Sequence, residues 1–165
     1  MPDPELSGGC QGGAVRYHLS GALIEPSVCH CRMCQKAMGN AFAPFAAVRL
    51  DDFRWTRGKP STYHSSPIVE RGFCRDCGTP LSFRYTDGDR IDVSIGSLDH
   101  PDRVPPTEHV GTESRLPWLH LADDLPESRT ETSMKPDRAA KMQTFQHPDH
   151  DTPDDWTPKG VNESR

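Results

Sequence analysis

Five of the six cysteines crowd into two short stretches, Cys29-His30-Cys31-Arg32-Met33-Cys34 and Cys74-Arg75-Asp76-Cys77-Gly78. Thiolates repeated at such short offsets converge on a single ion, and tetrahedral sulfur coordination is what Zn²⁺ favours. Cys29, Cys31 and Cys34 offer three ligands and leave a fourth position open. Structural zinc sites are closed by four protein ligands, whereas catalytic ones keep a position for water or substrate. The spacing therefore favours an open thiolate–zinc site.

Two other uses of cysteine compete with it. Six is an even number, so a disulfide framework is arithmetically possible, and a dithiol redox pair would also fit Cys74 and Cys77. Against disulfides, Met1-Pro2-Asp3-Pro4-Glu5 carries neither a basic n-region nor an apolar h-region, so a cytoplasmic chain with reduced thiols is expected. Clustered cysteines in that compartment bind metal or do redox work.

Length and composition set the remaining bounds. The 165 residues suit one domain with an appendage, and no apolar run approaches the ~18 residues of a membrane span. A net charge of −5 disfavours a nucleic-acid surface, because phosphate neutralisation needs clustered Lys and Arg. No nucleic-acid or membrane partner is expected. Only 33% of the residues are hydrophobic, so a modest core would gain from metal crosslinks, whose binding energy adds to folding. The chain divides near residue 128. Residues 129–165 contain Pro136, Pro148, Pro153 and Pro158, few aromatics and a small net charge of −1. Such a tail cannot bury enough apolar surface to offset its ordering entropy, and disorder or loose docking is expected, with room for a short helix around Pro136 to Gln143.

The part before residue 128 reads as all-β with little helix. Ile91-Asp92-Val93-Ser94-Ile95-Gly96 alternates with period two, as a half-buried strand does. Ala14 to Leu19, Phe42 to Leu50, Phe53 to Thr56, Ile68 to Phe73 and Leu81 to Tyr85 are similar short runs bounded by turn residues. One helical turn is expected from Met33 to Met38, with Gly39 as its left-handed cap. Cys34 then lies near its N-terminus, where exposed N–H groups favour a thiolate. Cys74-x-x-Cys77-Gly78 reads as a knuckle that turns backbone N–H groups toward sulfur, and Cys10 is the one cysteine left to join it.

In combination these residues resemble the glutathione-dependent formaldehyde-activating enzyme family. The resemblance rests on Gly8-Gly9-Cys10-Gln11-Gly12-Gly13-Ala14-Val15-Arg16-Tyr17, on Cys29-His30-Cys31-x-x-Cys34 with Gly39, and on Gly72-Phe73-Cys74-x-x-Cys77-Gly78-Thr79-Pro80-Leu81. Ile91-Asp92-Val93, Ser97-Leu98-Asp99 and Ser114-Arg115-Leu116-Pro117-Trp118 match in character and order, so that it covers residues 6 to 128. It implies a zinc-stabilised β fold of the Mss4-like type over 6–128 with one or two Zn²⁺ per chain. Cys29, Cys31 and Cys34 would hold an exchangeable zinc, and Cys10, Cys74 and Cys77 a structural one. The family's further cysteine two residues after the first is Gly12 here, so the fourth ligand is open: water, a carboxylate such as Asp76, or a histidine.

The implied activity is that of a carbon–sulfur lyase, an S-(hydroxymethyl)glutathione synthase-like enzyme whose partners are a small thiol (glutathione) and a small aldehyde (formaldehyde). Arg32, Lys36, Arg71, Arg75 and Arg115 are candidate cations for the thiol's carboxylates, although an ordinary solvated charge is the commoner role for any one of them. His30 is expected to point away from the metal, and Phe42, Phe45, Trp55 and Trp118 to belong to the core or the pocket mouth. A non-catalytic zinc-stabilised binding module and a dithiol redox protein are the alternatives from other classes.

Overall fold

The computed structural model describes residues 5–121, 124–144 and 155. Among them eleven strands and three short helices form. The strands are β1 (Leu6–Gly9), β2 (Arg16–Leu19), β3 (Ile24–Cys29), β4 (Ala43–Arg49), β5 (Phe53–Arg57), β6 (Ser61–Ser66), β7 (Val69–Phe73), β8 (Pro80–Tyr85), β9 (Arg90–Ser94), β10 (Glu108–Val110) and β11 (Glu127–Ser128). The helices are α1 (Arg32–Met38), α2 (Thr130–Ser133) and α3 (Pro136–Lys141). The all-β reading holds. A three-stranded sheet, β1-β2-β5, packs on an eight-stranded sheet in the order β11-β10-β3-β4-β9-β8-β7-β6. Every pairing is antiparallel except those of β10 with β3 and with β11.

Between the sheets lies the main core. Leu6, Tyr17 and Leu19 of the small sheet meet Ala46, Val48, Leu81, Ile91 and Val93 of the large one. Tyr17, Phe53 and Trp55 stack edge and face with ring centroids 4.8–5.9 Å apart, which adds specific aromatic contact to plain burial. The central strands are buried on both sides. Along β4, Ala46 and Val48 face the main core, while Ala43 and Phe45 face a second cluster with Cys34. Along β9, Ile91 and Val93 take the core side, so Asp92 takes the other.

A bulge on β8 serves this arrangement. Gly72 pairs with Ser82 and Phe73 with Pro80, which leaves Leu81 as the extra residue. Leu81 and Phe83 would share a face in a regular strand. Here Leu81 enters the main core and Phe83 the second cluster.

Several expectations shift in detail. The run from Phe42 to Leu50 is β4, Ile68 to Phe73 is β7, and the helical turn begins one residue early and closes at Gly39 with φ 60. The strands β1, β3, β6 and β10 carry no alternation that sequence reading picks up. Trp118 is not a core residue: it is 69% exposed, on a turn after the chain has left the sheet. The tail is described only in part. Its residues 129–144 include α2 and α3, with Arg138 of α3 stacked 3.9 Å from the Tyr85 ring centroid, and 145–154 and 156–165 lie outside the described residues. Among the described residues no helix is long and apolar enough to cross a membrane.

The two-sided burial makes Leu81 and Trp118 opposite cases. Leu81→Ala empties a fully buried site and should lower stability by about 2–5 kcal/mol. Trp118→Ala should change it by less than about 0.5 kcal/mol. Urea denaturation of the two variants checks both.

Candidate metal centres

The path of the chain brings Cys29, Cys31 and Cys34 together. β3 delivers Cys29 opposite Ala43, on the face of Phe45. His30 is then fully buried against His109, with ring nitrogens 2.8 Å apart, and its backbone N–H donates to the Val110 carbonyl at 2.8 Å. That anchorage turns Cys31 back toward Cys29. Cys31 caps α1, its sulfur accepting the Cys34 N–H at 3.3 Å. Gln35 fixes the helix from behind: its amide donates to the His30 carbonyl at 2.7 Å and to Ser114 at 2.9 Å. The three sulfurs lie within 4.8 Å of one another, and all three thiols are free.

Arg71 completes this group from β7. It is 4% exposed, and its guanidinium donates to the Cys34 sulfur at 3.4 Å and the Ser65 hydroxyl at 2.9 Å. Its flat face lies 5.0 Å from the Phe83 ring centroid. Cys34 is the thiol held as thiolate. Hydrogen bonds from Cys29 and Cys31, and then the charge of Arg71, draw it well below the usual thiol range. Cys29 is pushed well above that range, first by its hydrogen bond to Cys31. Cys31 ends at about 11: it accepts from Cys29, which lowers it, but donates to Cys34 and is desolvated.

Cys10, Cys74 and Cys77 form the second group, again with sulfurs within 4.8 Å. Backbone N–H groups surround it: Val15 donates to Cys10 at 3.3 Å, Gly12 to Cys77 at 3.4 Å, and Cys77 and Asp76 to Cys74. The Thr79 hydroxyl and N–H and the Gly12 N–H draw the exposed Cys77 down to about 6. N–H groups trained on sulfur stabilise thiolate ligands, so both groups have the donor chemistry for Zn²⁺. A Cβ at Gly12 would lie 3.6 Å from the Cys77 sulfur, and Gly12 itself supplies only its backbone. Neither Asp76 nor a histidine joins this group among the described residues.

Two cavities flank the first group. Cys29 and Cys34 open on one of about 470 Å³, bounded by Phe45, Ala47, Phe83 and Asp92. Ser133, Met134, Lys135 and Arg138 form its outer wall. The other, of about 1090 Å³, is lined by Arg71 and Arg75 with no carboxylate among the described residues. Among the cations singled out from sequence, Arg71 donates to a cysteine sulfur. Arg32 donates to the Gln35 side-chain oxygen at 3.5 Å, Lys36 is exposed, Arg75 lines the larger cavity, and Arg115 is paired with Glu127.

Asp92 is not among the site residues singled out from sequence, where it is the polar position of a run that alternates as a half-buried strand does. It lies on the cavity side, between Ala47 and Phe83 in register. Desolvation, reinforced by the charge of Cys34, raises its carboxyl to about 7.

Three comparisons bear on this chain. A family model described as glutathione-dependent formaldehyde-activating enzyme matches residues 5–114. An uncharacterised lyase of Schizosaccharomyces pombe is 36% identical over 87 residues, which are 52% of this chain and 61% of that protein. The match thus spans about three fifths of the relative's length. A crystal structure of a Rhodobacter sphaeroides protein is 22% identical, covers 73% of this chain and 98% of its own, and superposes with a TM-score of 0.47.

The position of Asp92 has a consequence for stability. A carboxyl at about 7 in the fold, against 3.8 in the open chain, favours the neutral form. The cost of ionising it is absent below about pH 4, grows between about 4 and 7, and is complete above 7, at up to about 4 kcal/mol. Asp92→Asn is always neutral and nearly isosteric. Its urea midpoint relative to wild type should therefore be higher at pH 8 than at pH 5. An equal difference at both pH values would refute the placement.

Proposed function

Because the chain belongs to the glutathione-dependent formaldehyde-activating enzyme family, we propose that it is a carbon–sulfur lyase-type enzyme joining a small thiol to a small aldehyde. Glutathione and formaldehyde are the substrates the family description suggests. One observation carries the reading: three thiols converge, two of them, Cys29 and Cys34, open on a cavity large enough for a substrate, and no fourth side chain closes the group among the described residues.

Cys29, Cys31 and Cys34 would hold an exchangeable Zn²⁺, and Cys10, Cys74 and Cys77 a second one near the surface. When bound, the ion supplies a Lewis acid that lowers the pKa of an entering thiol and so makes a sulfur nucleophile at neutral pH. The chain's own residues do the rest. Arg71 offsets the charge concentrated on Cys34. Phe45 and Phe83 exclude water from the space beside the sulfurs, which strengthens every charge interaction there. Lys135 and Arg138 on the outer wall, and Arg71 and Arg75 in the larger cavity, supply positive charge for a carboxylate-bearing thiol. In the forward direction the thiolate sulfur attacks the carbonyl carbon, a C–S bond forms, and the carbonyl oxygen takes up a proton. The reverse reaction cleaves that C–S bond. A cytosolic setting would keep all six thiols reduced.

Metal content and cobalt spectroscopy test this reading. Protein purified under reducing conditions without chelator should carry two zinc ions per chain, with Cys31→Ser and Cys77→Ser each losing one. In cobalt-substituted protein, glutathione should alter the sulfur-to-cobalt charge-transfer bands, and Cys31→Ser should abolish that response. A spectrum indifferent to glutathione and to other thiols would sink the proposal.

A further inference from the structure

Thiol addition to an aldehyde moves a proton as well as making a bond, and the cysteine cavity contains one group suited to move it. Asp92 projects from β9, in the middle of the large sheet, on the face shared with Ala47 and Phe83. Arg71, Phe83 and Asp92 occupy one cross-strand row over β7, β8 and β9, and Arg71 at the end of that row reaches Cys34. Asp92 and the sulfurs of Cys29 and Cys34 line the same cavity of about 470 Å³. Opposite Asp92 stands a methyl group, Ala47, so the space in front of the carboxyl is not filled by its cross-strand partner.

The charges around it leave Asp92 unclaimed. Arg90 lies 3.9 Å from Glu25, Arg138 is engaged by Asp87 at 3.7 Å and by the Tyr85 ring, and Arg71 is committed to Cys34 and Ser65. The other titratable groups of the cavity are Glu25, Asp89 and Glu108, all acidic, together with Tyr85 and the exposed Lys135. Asp92 is half-buried and forms no hydrogen bond or ion pair among the described residues, a state that costs a partly desolvated carboxylate more than a neutral acid. A carboxyl that titrates near neutrality can both accept and release a proton at working pH, which is the condition for efficient acid–base catalysis.

We propose that Asp92 is the proton-transfer residue of this site, accepting the proton that an entering thiol gives up and delivering it to the oxygen of the aldehyde. The assignment rests on the thiol–aldehyde reading above. The thiol loses H⁺ to the Asp92 carboxylate and becomes the nucleophile. Its sulfur forms a bond to the carbonyl carbon while the C=O π pair moves to oxygen. That oxygen takes the proton back from the Asp92 carboxylic acid, leaving a neutral hydroxymethyl thioether and the carboxylate as at the start. In the reverse direction the carboxylate removes the hydroxyl proton, the C–S bond breaks, and the departing thiolate is reprotonated. No oxidant or further reactant is needed.

The test compares wild type, Asp92→Asn and Asp92→Glu in the zinc-loaded and cobalt-substituted protein. Exchange between formaldehyde and its glutathione adduct is followed by NMR, and thiol binding by the cobalt bands. Asp92→Asn should slow the catalysed exchange at saturating glutathione by about a hundredfold or more, while metal content and the thiol-induced spectral change stay as in wild type. The pH profile of wild type should show an inflection near 7 that the variant lacks. Asp92→Glu, which keeps a carboxyl on a longer stem, should recover part of the rate. Three results overturn the assignment: exchange by Asp92→Asn within threefold of wild type, loss of metal or of the thiol response together with the rate, or Glu and Asn variants equally slow. A wild type that neither accelerates exchange nor responds to thiol instead fails the thiol–aldehyde reading itself, at a separate step of the same experiment.

Discussion

Three sulfur atoms within 4.8 Å of one another in a part-buried site cannot all be ionised unless positive charge stands among them. At such separations, and away from water, the repulsion between like charges amounts to several kcal/mol. The rest of the site follows from that constraint. Cys34 keeps the charge because it alone combines donors from both neighbouring thiols with the buried guanidinium of Arg71. Cys29 and Cys31 remain protonated for the same reason. A divalent cation at the centre would reverse the balance and make all three thiolates favourable ligands, so the arrangement is stable in one form and receptive in the other.

The constraint reaches into the sheet. A charged cluster needs fixed dipoles and a water-poor surround without burying its carboxylate neighbour in ionised form. The large sheet provides this by being packed on both faces. One side of β4 and β9 closes the main core with Ala46, Val48, Ile91 and Val93, and the other supports the cysteines with Ala43 and Phe45. The bulge at Leu81 lets β8 contribute to both layers within three residues. Arg71, itself almost fully buried, is tolerable only because Cys34, Ser65 and the Phe83 ring meet its polar edge and its flat face.

Sequence reading located the sulfur chemistry because cysteine spacing is a local signal, and Cys29, Cys31 and Cys34 lie within six residues of chain. The helical turn was legible from Gly39 and the short run before it. The strands β3 and β6 were not. Pro26 and a bulge with Glu25 at φ 45 interrupt the first, and the polar Ser61–Ser66 shows no apolar face. Asp92 illustrates a deeper limit. Alternation in Ile91-Asp92-Val93 correctly marks a strand with two different faces. It cannot say that the second face borders a cavity closed by Cys34, some sixty positions earlier, and by residues 133–138, some forty positions later. Trp118 errs in the opposite direction: its size suggested burial, and its position after the last core strand denies it a partner surface.

The cavity has two origins in the chain. Its inner end, with Cys29, Cys34, Phe45 and Asp92, lies wholly within residues 5–114, the stretch matched by the family. Its outer wall, with Met134, Lys135 and Arg138, comes from residues beyond that stretch. Arg138 holds this wall in place from the rim, stacked on Tyr85 and 3.7 Å from Asp87. A cation–π contact and a part-exposed ion pair are each worth on the order of 1 kcal/mol, far less than the burial that fixes β4 and β9. The inner end is therefore rigid and the wall weakly held. Changes to residues 130–141 can then alter which ligand fits the cavity while leaving the geometry of the sulfurs and of Asp92 intact.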